Sequence, residues 1–147
     1  MNVQFRKMTL EDIDDVYAIE VSSFTTPWTK DAFYKELVEN TLAAYFVVKD
    51  DDQLVAYGGM WQIMDELHIT NIAVAIGSRG KGYSKVLMDG LMDYGKKYSF
   101  KHMTLEVRQS NTVAIALYEK YGFESVGIRP KYYMDTNEDA LVMWKEL

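Results

Sequence analysis

Apolar and polar positions along this chain follow two rhythms. Four stretches repeat their apolar residues at helical spacing. In the first, Ile13, Val16, Tyr17 and Ile19 mark a helix from Thr9 to about Ser23. Ala32, Phe33 and Leu37 mark a second, from Thr29 to about Glu39. Val86, Leu87, Leu91, Met92 and Tyr94 mark a third, from Lys85 to Tyr98, and a fourth runs from Thr112 to Lys120. Between them lie runs that read as strands: Asn2 to Lys7, Ala43 to Lys49, Leu54 to Met64, Leu67 to Val74, His102 to Val107, Phe123 to Met134 and Ala140 to Lys145. The order is β-α-α-β-β-β-α-β-α-β-β. Hairpins alternate with crossover helices, which predicts an α/β (α+β) fold with a mixed sheet flanked by helices.

The punctuation agrees with the periodicity. Thr9 with Asp12 approximates a capping box, Thr29 and Asn111 suit helix N-caps, and Gly122 suits a C-cap. Phe24-Thr25-Thr26-Pro27-Trp28 reads as a loop, and Asp50-Asp51-Asp52 as a hairpin turn.

One junction carries candidate chemistry. Arg79-Gly80-Lys81-Gly82-Tyr83-Ser84 lies between an apolar strand and an apolar helix. A glycine turn at a helix mouth presents free backbone N–H groups, and the helix dipole adds to their pull on phosphate. Arg79, Lys81 and Lys85 put positive charge there, in a chain of net charge −6. The alternative is a tight turn with solvated lysines. A nucleotide-triphosphate P-loop is excluded, because Gly-x-x-x-x-Gly-Lys-Ser/Thr is missing. The Gly-x-Gly-x-x-Gly dinucleotide pattern is missing too, since Gly82 is followed by Tyr83, Ser84 and Lys85.

Composition narrows the classes. The 147 residues fit one domain, 1–147, with 48% hydrophobic residues. No apolar run approaches the roughly 18 residues of a membrane span, and the opening MNVQFRKMTL lacks the apolar stretch of a signal peptide. There is no cysteine, which removes disulfides and thiolate chemistry and fits a reducing cytoplasm. Only His68 and His102 could supply imidazole, and neither has a neighbour at metal-ligand spacing, so no metal is expected. The acidic balance argues against direct nucleic-acid binding. It suits a cationic partner, or merely keeps the protein soluble.

After the glycine turn come Leu105-Glu106-Val107-Arg108, Ser110-Asn111, Ala116-Leu117-Tyr118-Glu119 and Tyr121-Gly122-Phe123. This ordered set resembles the GNAT superfamily of acetyl-CoA-dependent N-acetyltransferases. The turn matches the pyrophosphate loop of that family, Gln/Arg-x-x-Gly-x-Gly/Ala, except that Ser84 stands where Gly or Ala is usual. Serine is small, so cofactor binding is expected to survive. Pro27-Trp28, Asn71-Ile72-Ala73-Val74, Ile128-Arg129 with Tyr132-Tyr133, and Glu138-Asp139-Ala140 are similar to the ribosomal-protein-alanine N-acetyltransferases within it, the RimI type.

The resemblance implies a GNAT fold whose mostly antiparallel sheet is splayed at the acetyl-CoA site. It places the cosubstrate on Gly80, Lys81, Gly82, Tyr83, Ser84 and Lys85, beside Arg79, with the main chain of Ile72, Ala73 and Val74 along the pantetheine arm. Asn111 would contact coenzyme A, or serve only as a helix cap. Glu106 would be the base, against the alternative of a surface carboxylate paired with Arg108. Tyr118 would be the acid, against the alternative of a core aromatic. A phenol near pKa 10 can protonate a thiolate near 8.5. Phe24, Pro27, Trp28, Tyr132 and Tyr133 would border the acceptor groove. The expected acceptor is a protein N terminus, that of the alanine-initiated small-subunit ribosomal protein eighteen, whose basic sequence would suit an acidic enzyme. An α-amine near pKa 7.7–8.0 is easier to deprotonate than a lysine near 10.4. A lysine, a small-molecule amine, or a non-catalytic acetyl-CoA-binding role stay open as alternatives.

Overall fold

The computed structural model describes residues 2–147. Its strands are β1 (Val3–Lys7), β2 (Ala43–Asp50), β3 (Gln53–Ile63), β4 (Glu66–Val74), β5 (His102–Arg108), β6 (Glu124–Tyr133) and β7 (Glu138–Glu146). Its helices are α1 (Ile13–Ser23), α2 (Lys30–Val38), α3 (Tyr83–Lys97) and α4 (Thr112–Lys120). The seven strands form one sheet in the order β1-β2-β3-β4-β5-β7-β6. Every neighbouring pair is antiparallel except β4 and β5, which α3 connects as a crossover.

The apolar run of β2 shows how the layers form. Successive side chains of a strand point to opposite faces. Phe46 and Val48 join Leu67, Leu87, Leu91, Met103 and Leu105 in the core under α3 and α4. Tyr45 and Val47 join Val16, Ile19, Phe33 and Tyr57 under α1 and α2. Covered on both faces, β2 has no polar alternation in its middle. Fully buried leucines such as Leu87 and Leu91 each contribute about 1.5–3 kcal/mol by leaving water.

Two helix starts differ from the periodicity. Ahead of α1, Leu10–Asp12 forms a 3-10 turn. The Asp12 carboxylate takes the Thr9 amide at 2.8 Å and the Arg6 guanidinium at 2.8 and 2.9 Å, which ties β1 to the helix entry. Burial opposes ionisation of Asp12, but these bonds outweigh it and hold the carboxyl below its usual range. The other difference is α3, which begins at Tyr83 rather than Lys85, with Gly82 as its N-cap.

A register shift positions the site. Gly59 faces Asn71 while the next residue, Met60, faces Ile69, so Thr70 is an extra residue in β4. Such a bulge bends a strand and changes which side chains face which layer. Before it Leu67 and Ile69 point toward α3 and α4; after it Ala73 points toward α1 and α2. Pairing between β4 and β5 runs from Glu66–His102 to Ile69–Leu105 and goes no further. Beyond that point the two parallel strands part.

Candidate active site

The site grows from that parting. Ala75 donates its amide to Val55 across β3 at 2.8 Å. Main-chain groups alternate in direction along an antiparallel pair, so those of Ile72 and Val74 face the opposite, open edge. The Val74 carbonyl accepts the Arg79 Nε–H at 3.2 Å, which folds the glycine turn back onto the strand end. The main chain of Ile72 therefore remains the open part of the edge. The Ala73 side chain is buried against the opposite layer and takes no part in that edge.

Gly80 and Gly82 have φ of +78° and +84°. Glycine adopts this backbone at no cost, asparagine at a small one and most other residues only with strain, so the turn favours glycine at both positions. A Cβ built on either would meet nothing within 4 Å, which leaves open space where a ligand can approach the main chain. Gly82 caps α3 without a side-chain bond, so first-turn N–H groups at Tyr83, Ser84 and Lys85 have no partner inside the helix. The Tyr83 side chain is turned inward, and its hydroxyl donates to Asp50. Its contribution at the turn is thus main chain, while Lys81 and Lys85 are exposed at the rim. An open strand edge, a glycine cradle and a helix N terminus fit an extended ligand that ends in a pyrophosphate.

Between β4 and β5 lies a cleft of about 400 Å³. Glu106, Tyr118, Asn111, Ile72, Phe24, Trp28, Tyr132 and Tyr133 all line it. Pro27 does not; it lines a groove of about 620 Å³ beside α2 that shares Trp28 and Trp61 with the cleft.

Glu106 and its strand neighbour Arg108 point to the same face, yet they do not pair. The Glu106 side chain is 7% exposed, and its Oε2 lies 2.5 Å from His68 Nε2. Arg129 Nε is 3.7 Å from its Oε1. Arg108 turns to the β6–β7 hairpin instead, donating to Asp135 at 2.7 Å and to Thr136 at 2.9 Å, with its guanidinium 4.2 Å from the Tyr133 ring centre. Asp135 also accepts the Thr25 hydroxyl, so the hairpin and the loop after α1 are joined over the cleft.

Tyr118 comes from α4 and stands edge-on to Phe123, with ring centres 5.8 Å apart. Burial pushes its phenol up to about 12, so it keeps its proton at neutral pH. Asn111 caps α4 by accepting the Ala114 amide at 3.2 Å while still lining the cleft. Tyr133 is also pushed up to about 12, first by burial and then by Tyr132. Among the described residues no three His, Asp or Glu side chains converge as a metal site would require.

His68 was not visible as a site residue in the sequence. Both His68 and Glu106 sit at alternate positions facing one layer, but only the strand register brings them together across 38 positions. No local motif carries that information.

Comparison with known proteins finds relatives along nearly the whole chain. Residues 13–123 match the family model described as the acetyltransferase (GNAT) family. A Bacillus subtilis (strain 168) protein, provisionally named a ribosomal protein bS18-alanine N-acetyltransferase, is 49% identical over 139 residues, 95% of this chain and 92% of that protein. The ribosomal protein bS18-alanine N-acetyltransferase of Escherichia coli (strain K12) is 34% identical over 134 residues, 90% of this chain and 89% of that protein. The crystal structure of the ribosomal-protein-S18-alanine N-acetyltransferase from Escherichia coli superposes with a TM-score of 0.91 at 29% identity, covering 99% of this chain and 94% of that one.

Proposed function

The chain belongs to the GNAT acetyltransferase family, and from that premise we propose that it acetylates the α-amine of a protein N terminus, with the N-terminal alanine of ribosomal protein bS18 as acceptor. The relatives' names supply the acceptor; the net charge of −6 is consistent with a basic one. The observation that carries the reading is the buried Glu106 carboxylate, held by His68, in one cleft with a protonated Tyr118 where β4 and β5 part.

Acetyl-CoA supplies the acetyl group as a thioester. The residues that would hold it are Gly80 to Lys85 through their main chain, with Arg79 bracing the turn and Ile72 offering its open edge. Asn111 adds a side chain at the cleft wall.

The protein's own groups then handle two protons. His68 fixes Oε2 of Glu106, so Oε1, whose neighbour is the exposed Arg129 guanidinium at 3.7 Å, is the oxygen that would take a proton from the incoming ammonium, directly or through water. Tyr118 offers its O–H to the departing sulfur. Its phenol stands well above a thiol near 8.5, so it acts as a hydrogen-bond donor that disperses charge more than as a strong acid. Phe24, Trp28, Tyr132 and Tyr133 would wall the acceptor side.

The test incubates the protein and acetyl-CoA with an Ala-initiated bS18 peptide, the same peptide blocked at its N terminus, a lysine peptide and a polyamine. Mass spectrometry then locates the acetyl group. We expect it on the α-amine of the unblocked peptide alone; acetyl on lysine or polyamine at a comparable rate would sink the proposal.

A further inference from the structure

Glu20 lies one turn before the end of α1, is 2% exposed, and forms part of the cleft wall. No Lys, Arg or His among the described residues makes an ion pair with it. A buried carboxylate without a cation persists only where hydrogen bonds compensate it. Glu20 has two: Oε1 accepts the hydroxyl of Tyr57, and Oε2 accepts the amide N–H of Trp28 at 2.9 Å. Tyr57 is fully buried, and burial, then the Glu20 charge, raises its phenol above the ordinary value, so it stays a donor.

These bonds connect two parts of the cleft that share no ladder. Tyr57 sits in β3 directly across from Ala73, between Ile72 and Val74 on the open strand. Trp28 ends the loop after α1, and its indole forms part of the cleft wall. The ring packs on Phe33 and Tyr45, with centres 5.5 and 6.4 Å away, which places the side chain but leaves the direction of the main chain to be set. The carboxylate sets it. It supplies an acceptor for a backbone N–H where the loop has neither helix nor strand bonds of its own.

We propose that Glu20 is a positioning residue for acceptor binding, which fixes the Phe24–Trp28 loop through the Trp28 amide at a set distance from the strand that meets the cosubstrate. The proposal rests on the acceptor reading above for its kinetic consequence, but its structural half stands apart from it.

Two variants test it. Glu20→Met fills the same volume and removes the acceptor; it also leaves the buried Tyr57 hydroxyl unpaired, so its thermal midpoint is measured beside the exchange. Glu20→Gln keeps a carbonyl for the Trp28 N–H and loses only the charge. Hydrogen exchange on the free protein should show the Trp28 amide of Glu20→Met opening about tenfold faster than wild type, with β3 and β4 amides unchanged. With the Ala-initiated peptide, the acceptor KM of Glu20→Met should rise about tenfold, while kcat and the acetyl-CoA KM stay within about threefold. Glu20→Gln should return both readouts to within about threefold of wild type. Unchanged Trp28 exchange in Glu20→Met overturns the proposal. Equal KM defects in Met and Gln also overturn it, because charge and not placement would then be the cause. Loss of protection across the whole sheet would show a merely structural role. A wild-type protein inactive on the peptide fails the acceptor reading, and the exchange comparison still decides the hold of Glu20 on the loop.

Discussion

The two sides of the cleft are built from different groups. On the proposed cosubstrate side, between Ile72 and Lys85, the protein offers main chain: an open strand edge, a turn with Gly80 and Gly82 at positive φ, and a helix N terminus. On the proposed acceptor side it offers side chains. They come from α1, the loop after it, β3, β4, β5 and the β6–β7 hairpin, and are joined by contacts such as Thr25 to Asp135 and His68 to Glu106. A main-chain site depends on backbone shape and tolerates many side chains. A side-chain site depends on individual groups, and one substitution can remove a function while the fold stays intact.

The largest effect should come from the acceptor side. Glu106→Gln keeps shape and the His68 contact but cannot take a proton, so kcat/KM at neutral pH should fall by about 10²–10⁴. The α-amine titrates near 7.7–8.0, so its neutral fraction grows as pH rises through that range, and the variant should recover part of its activity toward pH ~9.5. Wild type should level off at lower pH. A variant profile parallel to wild type at near-normal rate would mean that the proton leaves by another route.

Tyr118→Phe comes next. The buried phenol near 12 is a donor at all working pH values, but a poor match in acidity for a thiol near 8.5. The loss in kcat should therefore fall at the low end of general-acid effects, about 10²-fold, with the acetyl-CoA KM unchanged. Burst-phase measurement separates this from slow product release. A loss below about threefold in the chemical step would return Tyr118 to the core, where it packs on Phe123.

Glu106 and Tyr118 stand out in the sequence only because they follow the glycine turn in a recognisable order. The elements were legible for simpler reasons: strand and helix periods differ, and β2 and α3 carry theirs clearly. The glycine turn was legible as a turn because its backbone signal is local. What stayed hidden depends on register. The extra residue at Thr70 flips the faces of β4, and no sequence rule places it. The partner of Glu106 is His68 and not Arg108, because Arg108 finds Asp135, 27 positions away, on a hairpin whose course cannot be read locally. Glu20 carries no local signal that separates it from the other polar positions of α1. Its burial follows from Tyr57, 37 positions on.

The cosubstrate side should respond to backbone changes. Gly82→Val would impose a branched side chain at φ +84°, so a loss of binding would be mixed with strain. Gly82→Asn separates the two, because asparagine tolerates this backbone and still projects atoms into the open space beside the turn. The thermal midpoint should stay close to wild type while acetyl-CoA affinity, measured by titration calorimetry, falls about tenfold. Unchanged affinity in the folded variant would remove the turn from the site.

The smallest effect sharpens the comparison most. Lys81 lies between the two glycines and is exposed, so its ammonium acts on a phosphate through screened solvent. The main-chain N–H groups around it point from a fixed scaffold and carry the helix dipole with them. If main chain dominates, Lys81→Ala should raise the acetyl-CoA Kd by less than about threefold at 0.15 M salt. The difference from wild type should shrink further as salt is added, because only the charge term is screened. A tenfold loss that persists at high salt would mean that a side chain holds the pyrophosphate. The two sides of the cleft would then be built alike, and the tolerance expected of the turn would not exist.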